Sequence, residues 1–256
     1  MKLLLINLDR SSDRLTRMAP IFEEAGVDFS RVSAVDGNTL PEASLRRPIG
    51  KFYQLRRGEI ACFLSHRQCW QIAASGHSRH TAIFEDDVHF GQDIGQFLRD
   101  DMWIPEDADI VKLETTFVRT VLDRPHAVHF GRSLRRMRAT HAGGAGYIVS
   151  SAAARKLLDW SAEFVDPVDQ FLFNADCVPS QQLRIYQVDP AICIQDMFIA
   201  EGRAELPSTL ERDRPEAKAV HGVAKLTREL TRPLKRAWYF CSASVRGGDW
   251  KRVKFR

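Results

Sequence analysis

The chain opens on an apolar run, Leu3-Leu-Leu-Ile6, closed by Asn7 and Asp9. Near-continuous apolarity without strict alternation is what a central parallel strand, buried on both faces, requires. A helix is expected next, through about Ala25. Ser11 or Ser12 can cap it, Asp13 stands in its first turn and Gly26 stops it, with Pro20 able to split it. Phe29 to Val35 reads as a second strand. These 37 residues form one β-α-β unit, the usual start of a doubly wound α/β sheet. From Gly58, Ile60, Phe63, Leu64, Cys69, Trp70 and Ile72 recur at helical spacing as far as about Gly76.

A buried strand, Thr81-Ala-Ile-Phe84, then runs straight into Glu85, Asp86 and Asp87 before Val88 resumes the apolar pattern. A short helix near 93–101 and a strand from Asp109 to Glu114, again ending in an acid, follow. Residues 117–140 are basic and irregular, with a hairpin expected around Asp123-Arg-Pro125. Tyr147 to Val149 reads as a strand, and Ala152 to Trp160 as a helix capped by Ser150 or Ser151. Pro167, near an N1 position, starts a further helix with Asp169 in its first turn. Residues 183–194 read as a last strand, and a linker begins near Glu201.

Charge changes the picture at the C-terminus. Residues 221–256 hold ten Lys or Arg against Glu229 and Asp249, a net +8, while the preceding 220 residues carry 27 basic and 31 acidic side chains, a net −4. Leu226, Leu230, Leu234, Trp238 and Tyr239 are interleaved with those cations. A basic amphipathic helix interrupted by Pro233 suits an anionic membrane surface. The five cysteines form no C-x-x-C pair, so neither a disulfide framework nor a thiolate zinc site is indicated. Cys62 and Cys69, seven apart in the helical pattern, are expected to pack in a core. The N-terminal apolar run is too short for a signal peptide or membrane span. A cytoplasmic protein, peripheral at the inner face of the membrane, is the expectation.

In extended geometry Glu85 and Asp87 share one face and Asp86 takes the other. At the C-terminal end of a strand, where open α/β sheets keep their ligand crevice, such a pair suits a hard divalent cation that also needs phosphate oxygens. An acidic turn ending a strand would read the same. Ser65 and His66 adjoin, but no Gly-x-Ser-x-Gly elbow occurs in the chain. His66 therefore serves equally as a hydrogen-bonded helix residue. Gly144 and Gly146 precede a strand, whereas a dinucleotide fingerprint follows one, and no Gly-Lys-Ser/Thr is present. The glycines there fit close backbone approach to a ligand or another strand. Arg46, Arg47, Lys51, Arg56 and Arg57 make residues 38–57 a basic loop that could contact phosphates or simply be solvated. The basic loops are poor in aromatics for base stacking, so no nucleic-acid partner is expected.

Four blocks in order resemble glycosyltransferase family 25, the lipooligosaccharide and collagen galactosyltransferase group. They are Ile6-Asn-Leu-Asp-Arg10 with Arg14, Ala34-Val-Asp-Gly37, Gly58-Glu-Ile-Ala-Cys-Phe-Leu-Ser-His66 and Phe84-Glu-Asp-Asp-Val88. A weaker fifth is Gly146-Tyr-Ile-Val-Ser150 with Pro167-Val-Asp169. The resemblance spans roughly residues 1–200. It implies a GT-A-like, Rossmann-like, doubly wound and mostly parallel sheet in a catalytic domain over 1–205; the basic helical extension expected over 206–256 rests on its charge pattern and has no counterpart in the resemblance. It also implies an inverting hexosyltransferase using a UDP-sugar and Mn²⁺ (or Mg²⁺). In that frame Glu85-Asp86-Asp87 is a degenerate D-x-D, with Asp87 a direct metal ligand and Glu85 a direct or water-mediated one. Asn7, Asp9, Arg10 and Arg14, with Asp36 and Asp86 beside them, face the nucleotide. Asp169, then Glu114, is the candidate base. The implied reaction moves a hexose, galactose, to a hydroxyl of a lipopolysaccharide- or lipooligosaccharide-type glycan. A non-catalytic UDP-sugar-binding relative and a metal-dependent phosphoesterase are the alternatives.

Overall fold

The computed structural model describes residues 1–199 and 237–256. The first half contains β1 (Lys2–Asn7), α1 (Ser12–Glu24), β2 (Ser30–Ser33), α2 (Glu42–Leu45), α3 (Arg57–Ser75), β3 (His80–Glu85), β4 (Val88–Phe90) and α4 (Ile94–Leu98). It continues with β5 (Ile110–Lys112), β6 (Arg119–His129), β7 (Arg132–Met137), β8 (Gly146–Ser150), α5 (Ser151–Trp160), α6 (Val168–Phe173) and α7 (Val178–Gln182). β9 (Ile185–Asp189), β10 (Cys193–Gln195) and β11 (Asp249–Arg252) complete the described elements.

Nine strands form one sheet in the order β11-β6-β7-β9-β5-β8-β3-β1-β2. β1 pairs in parallel with both β2 and β3, and β5 with β9. β8 lies antiparallel between β3 and β5, and β7, β6 and β11 extend the far side antiparallel. The parallel β-α-β start is therefore present within a sheet that is mixed. The period-two geometry of its strands builds two cores. Leu4, Ile6, Ile83, Tyr147 and Val149 turn to one face, where α3 and α5 pack. Leu3, Leu5, Phe84 and Ile148 turn to the other, against Met18 and Phe22 of α1 and Phe97 of α4.

Strand direction then fixes the working rim. Because β8 runs against both β3 and β5, those two point the same way as β1. The C-terminal ends of β1, β3 and β5 therefore meet the N-terminal end of β8. Asn7, the 85–87 acids, Glu114 and the glycines before β8 converge there from four separate stretches of chain.

Several expectations from sequence change. Pro20 does not split α1, which runs unbroken to Glu24 and is held by Met18 and Phe22, both fully buried. The 119–137 hairpin turns at Phe130-Gly131, both with positive φ. Asp123-Arg-Pro125 lies inside β6, where the register slips against β7, a place that tolerates a missing N–H. The expected strand over 183–194 is two strands, because β10 leaves the main sheet to pair with β4. Cys69 is a core residue, whereas Cys62 is only partly buried.

The expected boundary near residue 205, and Leu226, Leu230, Pro233 and Leu234, lie outside the described residues. Residues 237–245 are helical. After them β11 joins β6 at the sheet edge, Val253 is fully buried and the Ala191 N–H donates to the Lys254 carbonyl at 2.7 Å. Among the described residues no helix is long and apolar enough to cross a membrane. Val253→Ala is expected to lower unfolding stability by about 2 kcal/mol, from lost burial and an unfilled space. Urea denaturation checks this, and an unchanged midpoint would show that the C-terminal segment is not part of the cooperative unit.

Candidate active site

A cleft of about 290 Å³ opens at the shared rim. Its walls include Arg10 and Arg14 after β1, Asp36 after β2, and Cys62 and His66 from α3. Glu85, Asp86 and Asp87 form its floor beside Gly143, Gly144 and Asp169.

Asp86 faces away from its two neighbours and is buried. Its carboxylate accepts from Asn7 Nδ2 at 2.7 Å and from Arg14 Nη1 at 2.8 Å. Arg17 Nη2 donates to the Asp86 and Val88 carbonyls at 2.8 and 3.1 Å. Asn7, Arg14 and Asp86 thus tie the ends of β1 and β3 together. Asn7 also receives Arg31 Nε at 2.9 Å on its side-chain oxygen.

Glu85 and Asp87 are the acids left facing the cleft. Burial, reinforced by Asp86 and Asp169, raises the Glu85 carboxyl to about 7, despite the opposing pull of Arg14. Burial, reinforced by Glu85 and Asp86, raises Asp87 to about 7 as well. Asp87 is steadied by the β4–β10 pair. Its carbonyl accepts from the Asp196 N–H at 2.8 Å, and Gln195 Nε2 reaches its carboxylate at 3.5 Å. Two carboxylates in a partly dry cleft, both held toward protonation by burial and by neighbouring acids, are a donor set that fits a hard divalent cation. Glu85 and Asp87 are the residues that would hold it.

His66 sits behind Glu85. It is fully buried, and burial depresses its pKa to about 4, so it is neutral at physiological pH. Trp70 Nε1 donates to the Tyr147 hydroxyl at 2.8 Å, and that hydroxyl lies 2.9 Å from His66 Nδ1. His66 Nε2 is 3.2 Å from Glu85 Oε1. With Glu85 ionised, the consistent donor order is Trp70 to Tyr147 to His66 to Glu85, which aims the carboxylate. Ser65 is no nucleophile here. Its hydroxyl donates to the Ala61 carbonyl at 2.8 Å and accepts from the Val35 N–H at 2.9 Å.

On the opposite wall, the glycines before β8 lie over Glu114. Gly143 has φ +100°, and a Cβ there would come within 2.9 Å of both Glu114 carboxylate oxygens. Glu114 is fully buried. It lies 3.6 Å from Lys112 Nζ and accepts the Ala145 N–H at 2.9 Å. Lys112 donates in turn to the Ala142 and Gly143 carbonyls. Burial pushes Glu114 up, to about 7, and Lys112 down. The pair anchors the glycine run from beneath, and Glu114 is not a cleft wall. Asp169 is, and the Gly143 N–H donates to its carboxylate at 3.4 Å.

The remaining residues named from sequence divide. Arg10 and Asp36 are ion-paired on the cleft wall, and Asp36 also accepts from the Asn38 N–H at 2.9 Å. Asp9 is turned outward to Arg31 and Ser33. In the basic loop, Arg57 donates to the Gly37 and Leu40 carbonyls at 3.2 Å, and Arg47 stacks 3.8 Å over the Phe164 ring. Sequence reasoning missed Tyr147, Lys112, Cys62 and Gln195 as parts of the site. The signals were a polar residue within a strand that otherwise reads as buried, at Lys112, and a place inside the motif blocks, at Cys62 and Tyr147.

A family model described as glycosyltransferase family 25 (LPS biosynthesis protein) matches residues 1–172. The chain is 32% identical over 250 residues to the lacto-N-neotetraose biosynthesis glycosyltransferase LgtE of Neisseria meningitidis serogroup B, covering 90% of this chain and 87% of that one. It is also 32% identical over 231 residues to LgtB of Neisseria gonorrhoeae, a lacto-N-neotetraose biosynthesis glycosyltransferase, covering 82% and 80%. Among solved structures, a glycosyltransferase involved in the glycosylation of the major capsid of PBCV-1 aligns at TM-score 0.45 and 11% identity, over 80% of this chain and 95% of that one. On the family match and the two relatives, the chain belongs to glycosyltransferase family 25 and is a glycosyltransferase.

Proposed function

We propose that the protein transfers a hexose, galactose, from a UDP-sugar to a hydroxyl of a lipooligosaccharide- or lipopolysaccharide-type glycan, with inversion, in a GT-A-type frame. The observation that carries this reading is the single cleft lined by Glu85, Asp87 and Asp169 together. The names of the relatives LgtE and LgtB, both of lacto-N-neotetraose biosynthesis, support the acceptor class.

In this reading Arg10 contacts the donor phosphates, and Asp36 accepts from ribose hydroxyls. A cation held by Glu85 and Asp87 would supply Lewis-acid stabilisation of the leaving diphosphate, worth several kcal/mol. His66 keeps the Glu85 carboxylate aimed at the cleft, so that no reorientation is needed when the donor enters. Asp169 takes the proton of the acceptor hydroxyl as its oxygen attacks the sugar from the face opposite the diphosphate. General-base help of this kind contributes about 10²–10⁴-fold. The Gly143 N–H restrains Asp169, while Lys112 and Glu114 hold the backbone that carries that N–H. Residues 1–205 are the catalytic part in this reading.

We also propose that the basic segment over 221–256 brings the enzyme to an anionic membrane surface. Trp238 and Phe240, 70% and 64% exposed on the helical stretch over 237–245, support this. Aromatics beside Lys and Arg are the usual interfacial combination.

Calorimetric titration of UDP with and without Mn²⁺ tests the donor site. Asp87→Ala is expected to abolish the metal-dependent part of binding, and unchanged affinity would remove the metal role. In the wild type, Mn²⁺ affinity is expected to rise from pH 6 to pH 8 and then level off. Protons occupy Glu85 and Asp87 below about 7 and must leave first. The sign for the metal-free protein is opposite. Its acids retain protons that the unfolded chain has lost, so stability falls as pH rises from about 4 to about 7.

Asp169→Asn is expected to lower kcat by about 10²–10⁴-fold while leaving UDP affinity unchanged. Wild-type turnover would exclude Asp169 as base, and phosphate release without acceptor would favour a phosphoesterase. Trp238→Ser with Phe240→Ser is expected to weaken sedimentation with phosphatidylglycerol vesicles. Equal binding by both proteins would rule out these aromatics as the anchor.

A further inference from the structure

We propose that Cys62, His66 and Glu85 form a second cation site in the cleft, of the thiolate–imidazole–carboxylate type that takes Zn²⁺. It shares Glu85 with the Glu85–Asp87 pair. Zn²⁺ bound there draws Glu85 away from a hard cation and acts as an antagonist of transfer. Only the antagonism rests on the function proposed above; the site itself does not.

Cys62 and His66 are four residues apart in α3, so one helix face presents both. Glu85 arrives from the end of β3. The Cys62 Sγ, a His66 ring nitrogen and a Glu85 carboxylate oxygen all lie within 4.8 Å of one another. His66 Nε2 is 3.2 Å and Cys62 Sγ 3.9 Å from Glu85 Oε1. Around a tetrahedral zinc, with bonds of about 2.0 Å to nitrogen and oxygen and about 2.3 Å to sulfur, the N···O and S···O separations are about 3.3 and 3.5 Å. The first is already met, and the second needs a shift of a few tenths of an ångström. All three residues line the cleft, which leaves a fourth position for water or a ligand atom.

The surroundings also suit a metal-ligating imidazole. When Nε2 binds a cation, the ring proton sits on Nδ1 and is donated to the Tyr147 hydroxyl oxygen at 2.9 Å, itself fixed by Trp70. Such an outer partner orients the ring. Donor softness separates the two sites, because sulfur and imidazole select zinc-like cations, whereas an all-carboxylate pair suits Mn²⁺ or Mg²⁺. The binding step balances simply. The cation enters, the Cys62 thiol proton passes to solvent, and a metal–sulfur bond forms with no change of oxidation state.

The test is a titration of the full, chelator-treated chain with Co²⁺ as a spectroscopic stand-in for Zn²⁺. The expected result is a near-ultraviolet thiolate-to-cobalt charge-transfer band with tetrahedral visible bands, reversed by Zn²⁺. Cys62→Ser, a change of one atom, should remove the charge-transfer band. It should also lower Zn²⁺ affinity by more than the roughly 10- to 100-fold that losing an outer partner costs. Cys241→Ser, which alters an exposed thiol, should leave the band intact. No thiolate band in the wild type, or a band that survives Cys62→Ser, overturns the site. Asp87→Asn should keep the cobalt band while losing Mn²⁺ binding. If Mn²⁺ binding persists there, the hard-cation reading fails and the thiolate band still decides this site. Displacement of Mn²⁺ by Zn²⁺, followed by paramagnetic resonance, supports the sharing of Glu85; simultaneous binding of both ions refutes it.

Discussion

The buried carboxylate of Asp86, held between Asn7 and Arg14, is the contact on which the site depends. A charge taken out of water is tolerated only when it is paired and hydrogen-bonded, and removal of one partner costs about 3–5 kcal/mol. Asp86 therefore fixes the ends of β1 and β3 to one another. The two-residue turn at Asp86-Asp87, between β3 and β4, does the rest. With Asp86 committed to Asn7 and Arg14, Glu85 and Asp87 are left to line the cleft. One structural acid thereby aims two that are available for chemistry.

The same logic runs along the rim. Glu85, Asp87 and Glu114 are each pushed to about 7 by burial, yet the fold deals with them differently. Glu114 is given a buried lysine and a backbone N–H, and so becomes a foundation for the glycine run. Among the described residues, Glu85 receives only a neutral imidazole and a thiol, and Asp87 only an amide side chain at 3.5 Å, beyond the pull of Arg14 on both. Their unmet charge is where a cation has most to gain. Three acids of similar pKa thus have separate uses, set by what lies within hydrogen-bond reach rather than by residue type.

The reversed strand β8 links these parts. Running against β3 and β5, it brings its N-terminal glycines to the rim where its neighbours end. Gly143, in a left-handed conformation that a Cβ would strain, lies close over Glu114 and still points its N–H at Asp169. Tyr147, four residues before α5 begins at Ser151, holds His66 through its hydroxyl. A single short strand thus supports both the Glu85 side and the Asp169 side of the cleft.

The sequence by itself determined the elements whose signals are local. The apolar runs of β1 and β3, the α3 periodicity from Gly58 to Gly76, and the Ser150 cap of α5 all stand as read, because burial on both faces, helical spacing and capping are encoded within a few residues. The motif blocks likewise identified the family, and the strand-end position of Glu85 and Asp87 already marked the rim. The tertiary structure decided what depends on partners distant in the chain. It turned β8 against its neighbours, continued α1 through Pro20 because Met18 and Phe22 are buried, and sent β10 to β4. It also gave Asp86 to Asn7 and Arg14, and Glu114 to Lys112, leaving Asp169 on the cleft wall. No local pattern could divide those acids, since the pairing energy of a buried charge is set by groups up to 79 residues away in the chain and by the water that folding removes.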